Sequence, residues 1–259
     1  MKTVIILTQP RSGSSLLAGI LHKLGVSMGD DEEELMKQTH DNKYGSFEDH
    51  DFQVLHHRML FKAKILIQYP NRLKKDENNI KKAVQKYETE LVDLIRKKER
   101  DLWGWKDAVL IYTIPYFEQH LNNPYYLYLY RPPKSVANSQ IQAGRYGRWW
   151  NEIKQEYSYQ PIYRWIPLAL RTFAIIFTKG FIWHKLDYLS KIVEDAHQKI
   201  ENFTKDKKCI RMDLENLIKN SEEEIDRLIE FLDISPTKEQ IKDAFNFVHP
   251  ELIKSDVEE

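Results

Sequence analysis

The sequence predicts an α/β fold, a parallel β-sheet of about five strands flanked by helices on both faces. Two observations carry this. The chain opens with Val4-Ile5-Ile6-Leu7, apolar throughout and mostly β-branched, then passes through a Gly/Ser turn into a helical repeat. Further strand-like runs at residues 102–106, 125–130 and 209–212 are separated by long helical stretches, which parallel neighbours need as crossovers.

Taken in order, the first strand meets the turn cluster Gln9-Pro10-Arg11-Ser12-Gly13-Ser14. A helix follows through Leu16, Leu17, Ile20, Leu21 and Leu24, with Gly25 suited to its C-terminal stop. Ile80, Val84, Tyr87, Leu91 and Leu94 recur at helical steps, and so do Leu189, Ile192, Val193, Ala196, Ile200 and Phe203. Arg131-Pro132-Pro133 ends the strand at 125–130, and a helix resumes from Lys134 to Gln142. Ser221-Glu222-Glu223-Glu224 reads as a capping box ahead of Ile225, Leu228, Ile229 and Leu232. Ser235-Pro236 reads as the cap and first turn of a last helix. There is no internal repeat and no low-complexity linker, so residues 1–259 are expected to form a single domain. An aromatic-rich helical subdomain is expected at 144–190.

Composition narrows the function. Lys+Arg and Asp+Glu both number 39, a balance that argues against a nucleic-acid partner and makes any anion site local. Cys209 is the only cysteine, so no internal disulfide is possible, and a reducing, cytoplasmic location is expected. The apolar start is too short for a signal-peptide core. The longest apolar region, from Trp165 to Trp183, is interrupted by Pro167, Arg171 and Lys179, so no transmembrane segment is expected.

A strand entering a Gly/Ser turn and then a helix presents backbone N–H groups at the positive end of the helix dipole. Gly13 permits close approach of the backbone, Ser12, Ser14 and Ser15 carry hydroxyls, and Arg11 carries a fixed charge. A plain turn with a serine N-cap accounts for the same residues. A nucleotide-triphosphate loop would need a lysine after its last glycine, and none follows Gly13.

Pro10-Arg11-Ser12-Gly13-Ser14-Ser15-Leu16-Leu17 resembles the 5′-phosphosulfate loop of the sulfotransferases that use 3′-phosphoadenosine 5′-phosphosulfate (PAPS), in the bacterial and Golgi-type branch. The resemblance implies a P-loop NTPase-like fold, a loop wrapped around the phosphosulfate, and contact from Arg11. Arg131 at a strand end and Ser139 eight positions later resemble the family's 3′-phosphate motif. A guanidinium suits a phosphate dianion through paired N–H donors. Leu214-Glu215-Asn216-Leu217 resembles a late Tyr-Glu-Asp-Leu element, with Leu214 for the tyrosine and Asn216 for the aspartate. Trp103-Gly104-Trp105-Lys106-Asp107 resembles a strand-end element ending Lys-Asp-Pro-Arg, whose last two residues are here Ala108-Val109.

Sulfuryl transfer needs an in-line hydroxyl, a base, and positive charge around the leaving phosphate. No metal is expected, since arginine, lysine and helix N–H groups can supply that charge. The segment from Asn42 to Asp49 resembles a Gly-Tyr-Phe-Glu-Asp stretch of bacterial sulfotransferases, which makes Glu48 the base, with Ser46 in place of the tyrosine. Glu48-Asp49 also suits a plain helix start. His50, His40 and Asp49 are alternative bases. Lys106 is read either as a cation for the leaving phosphate or as a solvated surface lysine. Aromatics interleaved with Arg145, Arg148, Arg164 and Arg171 suit either a carbohydrate or small-molecule acceptor bearing a hydroxyl, or simple packing on the sheet. The alternatives to a sulfotransferase are a P-loop nucleotide kinase and a nucleotide-binding protein without turnover.

Overall fold

A computed structural model describes residues 1–29, 44–63, 74–142 and 186–248, together with Leu35, Ile166, Ala169 and Leu170. Its centre is a parallel sheet of β1 (Lys2–Leu7), β2 (Leu102–Lys106), β3 (Pro124–Tyr130) and β4 (Cys209–Asp213), in the order β2-β1-β3-β4. All four strand segments read from the sequence are in it. A fifth is not among the described residues. The aromatic segment beyond Gln142 lies outside them, apart from Ile166, Ala169, Leu170 and the helix that starts at Leu186.

From Thr3 to Leu7 every residue of β1 is buried, because both faces of the sheet are covered. The pleat divides the strands between two cores. Ile5, Leu7, Trp103, Trp105, Tyr126 and Tyr128 face one side, where they pack with α2 (His50–Lys62), α3 (Lys74–Lys86) and α4 (Glu88–Lys98). Val4, Ile6, Leu127, Leu129 and Met212 face the other, with α1 (Ser14–Lys23), α8 (Leu214–Lys219), α9 (Ser221–Leu232) and α10 (Lys238–Asn246). Between them in the chain lie the short α5 (Leu110–Thr113), α6 (Pro133–Gln142) and α7 (Leu186–Thr204). No described helix is long and apolar enough to cross a membrane.

Local chemistry accounts for most helix ends. Gly25, at φ 94°, bonds its N–H to the His22 carbonyl, so the expected glycine stop after α1 is present. The single repeat through residues 80–94 is two helices, α3 and α4, jointed at Tyr87. Two expected caps are corrected. Glu224 does not close a capping box on Ser221, because its carboxylate bonds Asn216 and Arg227 instead, and α9 starts from Asn220 without a side-chain cap. The last helix is capped by Thr237 rather than Ser235, in a reciprocal box with Gln240.

Strand order sets the place of the site. The chain leaves β1 for one neighbour, β2, and later crosses to the other, β3. The crevice beyond the carboxyl ends of such diverging strands is where open α/β sheets take ligands.

Candidate active site

The turn after β1 lies in that crevice. Thr8 Oγ1 donates to the Leu129 carbonyl at 3.0 Å, and the Ser12 N–H donates to the Gln9 carbonyl at 3.2 Å. The N-cap of α1 is Gly13, so no serine caps this helix. The first amides of α1 keep the positive end of the helix dipole for an outside anion. Ser12 Oγ is buried and has no hydrogen-bond partner among the described residues. Such an orphaned donor fits a phosphate or sulfate oxygen.

Two backbone positions make the turn possible. Gly13 has φ 84°, and a Cβ there would lie 2.4 Å from Leu214 Cδ1. Arg11 has φ 71° without being glycine. Strain of this kind gathers at ligand sites.

Arg131 and α6 brace the same turn from β3. Arg131 is mostly buried, and its Nη1 donates to the Arg11 carbonyl at 2.8 Å. Gln140 Nε2 donates to the Pro10 carbonyl at 3.0 Å. Thus Arg11 and Arg131, 120 positions apart, belong to one site. Ser139 lies half-buried on α6.

β2 delivers the next charge. In register with Ile6 of β1, Lys106 is only 5% exposed, which removes the solvated-lysine alternative. Its Nζ contacts the Ser46 carbonyl at 2.5 Å, Glu48 Oε1 at 2.9 Å and Ser15 Oγ at 3.3 Å. The other oxygen of Glu48 accepts from Gln53 Nε2 in the first turn of α2. The residue before Glu48 is Phe47, fully buried at φ 51°. A bulky side chain at positive φ is an outlier.

The other candidate bases are placed elsewhere. Asp49 is the N-cap of α2, its Oδ1 accepting from the amides of Asp51 and Phe52 at 3.0 and 3.3 Å, and its Oδ2 lies 2.8 Å from Lys98 Nζ. His50 is exposed at the start of α2, and His40 falls outside the described residues. His56 is wholly buried, with Nδ1 2.7 Å from Asp107 Oδ2 and Nε2 3.3 Å from Thr113 Oγ1. Burial would raise the Asp107 carboxyl, yet the charge and hydrogen bond of His56 bring it below its ordinary value. Burial holds the neighbouring His57 down at about 4.

Sequence reasoning missed Gln53, Gln140 and Asp107. The only signal for Gln53 was a polar residue in the first turn after Glu48, and Gln140 stands beside the expected Ser139.

The chain resembles in structure the sulfotransferase domain from the curacin biosynthetic pathway, at 17% identity and a TM-score of 0.51, over 93% of this chain and 76% of that one. That likeness is one of fold. A sulfotransferase domain from the Synechococcus PCC 7002 olefin synthase aligns at 15% identity and a TM-score of 0.46, over 99% of this chain and 83% of that one. A comparison with curated proteins finds no match. Residues 1–249 match the family described as the sulfotransferase domain, and the chain belongs to that family.

Proposed function

We propose that the chain transfers the sulfuryl group of PAPS to a hydroxyl on a carbohydrate or small-molecule acceptor. The observation that carries the reading is the position of Lys106 Nζ, buried between Ser15 of the phosphate loop and the carboxylate of Glu48. One cation thus adjoins both the donor's reacting end and the base.

In this reading the α1 amides, Ser12, Gly13, Ser14, Ser15 and Arg11 hold the phosphosulfate, while Arg131 and Ser139 hold the 3′-phosphate. The acceptor oxygen forms a bond to sulfur as the bond from sulfur to the 5′-phosphate oxygen breaks. The hydroxyl proton passes to Glu48. The electron pair of the broken bond stays on the phosphate of the product, 3′,5′-adenosine bisphosphate, where Lys106, Arg11 and the α1 dipole offset the added charge. A cytoplasmic location belongs to the same proposal and is supported by the single cysteine.

Calorimetric titration tests the donor half. Wild type is expected to bind 3′,5′-adenosine bisphosphate in preference to ADP, and Arg131→Ala to weaken that binding. No binding, or equal binding of ADP with no effect of Arg131→Ala, overturns the reading.

A further inference from the structure

Arg131 stands just past the last residue of β3, so the strand ladder no longer holds its backbone. Pro132 and Pro133 follow, and neither has an N–H with which the turn could brace itself. The Arg131 carbonyl is instead bonded from α7, where His197 Nε2 lies 3.1 Å away. The other ring nitrogen, His197 Nδ1, lies 2.9 Å from the Tyr128 hydroxyl.

We propose that His197, oriented by Tyr128, is a positioning residue that fixes Arg131 for the 3′-phosphate of the donor. The inference rests on the donor reading above.

A carbonyl only accepts, so His197 carries its hydrogen on Nε2, and the neutral ring then accepts at Nδ1 from the Tyr128 hydroxyl. Burial favours the neutral form of both groups. Burial lowers the His197 imidazole, against the opposing pull of the Arg131 carbonyl, and burial pushes the Tyr128 hydroxyl up. Both side chains are nearly excluded from solvent, His197 at 5% exposure and Tyr128 at 2%. The Tyr130 ring packs on the imidazole with centroids 4.9 Å apart and limits its rotation. The guanidinium one residue before the prolines therefore projects from a braced carbonyl. Its Nη1 is already engaged by the loop at Arg11, so small backbone shifts would disturb the pairing of its other donors with a phosphate.

Calorimetry with 3′,5′-adenosine bisphosphate and with adenosine 5′-phosphate, which lacks the 3′-phosphate, provides the test. His197→Ala is expected to weaken the bisphosphate by about tenfold, the scale of one lost hydrogen bond, and to leave adenosine 5′-phosphate unchanged. His197→Gln, whose amide can still donate to the carbonyl, restores most of the loss and guards against a folding defect. In an Arg131→Ala background, His197→Ala adds nothing further. The proposal is overturned if His197→Ala binds the bisphosphate as wild type does, if both nucleotides weaken equally, or if the loss persists without Arg131. Failure of wild type to bind the bisphosphate at all overturns the donor reading instead.

Discussion

Lys106 Nζ sits 2.9 Å from Glu48 Oε1 while also touching Ser15 of the Gly/Ser loop, so the lysine has a competing partner on either side. A buried cation needs compensation, and before any donor arrives Glu48 supplies it.

Removing that competition separates binding from catalysis. Glu48→Gln is expected to bind 3′,5′-adenosine bisphosphate about fivefold more tightly, equivalent to an ion pair of about 1 kcal/mol. The gain vanishes in a Lys106→Met background and for adenosine 3′-phosphate, which has no 5′-phosphate to draw the lysine. Turnover of PAPS with any accepted hydroxyl falls by about 10²–10⁴ as the base is lost. Calorimetry and product formation read the two effects apart; unchanged affinity in Glu48→Gln contradicts the competition.

Arg11 combines a charge with a left-handed backbone, φ 71°. Replacement by glycine relieves the backbone and replacement by alanine does not. Both variants lose donor affinity, but Arg11→Gly is expected to be more stable than Arg11→Ala by about 1 kcal/mol. Denaturant unfolding measures the difference. Equal stabilities would show that the loop's conformation imposes no cost.

Gly13→Ala meets two obstacles, φ 84° and a Leu214 methyl 2.4 Å from the new carbon. A loss of about 1–3 kcal/mol is expected, together with loss of bisphosphate binding. Leu214→Ala in the same chain removes the collision and not the torsion, so donor binding returns only in part. Full return would assign the whole effect to crowding.

Acid is expected to destabilise the protein early. Between the ordinary imidazole value of 6.5 and about 4, His57 binds a proton in the unfolded chain and not in the folded one. Stability then falls as pH falls through that window, by at most about 1.4 kcal/mol per pH unit for one group. Asp107, lowered in the fold, adds a second loss in the same direction at still lower pH. Thermal unfolding followed by circular dichroism should give a Tm that declines from about pH 7 to pH 5, and His57→Gln should reduce the decline, with the lowered imidazole of His197 supplying the remainder. A level wild-type profile contradicts the assignment.

The parts legible in the sequence were those written in contiguous residues. β1 to β4 are short apolar runs, and their bounds agree with the sequence reading to within two residues. The Gly/Ser loop and the cluster around Glu48 were legible as local motifs. What escaped depends on partners far along the chain. That Lys106 is buried beside Ser15, 91 positions away, follows from the register of β1 and β2 and not from any neighbour in sequence. Gln140 and His197 read as ordinary helix residues until α6 and α7 carry them to the carbonyls of Pro10 and Arg131. The caps failed for a related reason. Ser221 and Glu224 have the right spacing, but the tertiary bond from Asn216 claims the glutamate.

Leu214 against Gly13 also fixes the order in which the protein can mature. The loop is translated before the later strands of the domain, yet β1 sits inside the sheet between strands that begin at Leu102 and Pro124. The side chain that floors the loop arrives still later, after β4. Pairings this distant in sequence form slowly, because loop-closure entropy must be met before the contacts repay it. A nascent chain that has passed α1 but not yet reached β2 therefore exposes an unpaired apolar strand, a species prone to association and in need of chaperone cover. The Gly/Ser loop, translated ahead of the strands that flank β1, would be among the last parts of the domain to reach its final shape.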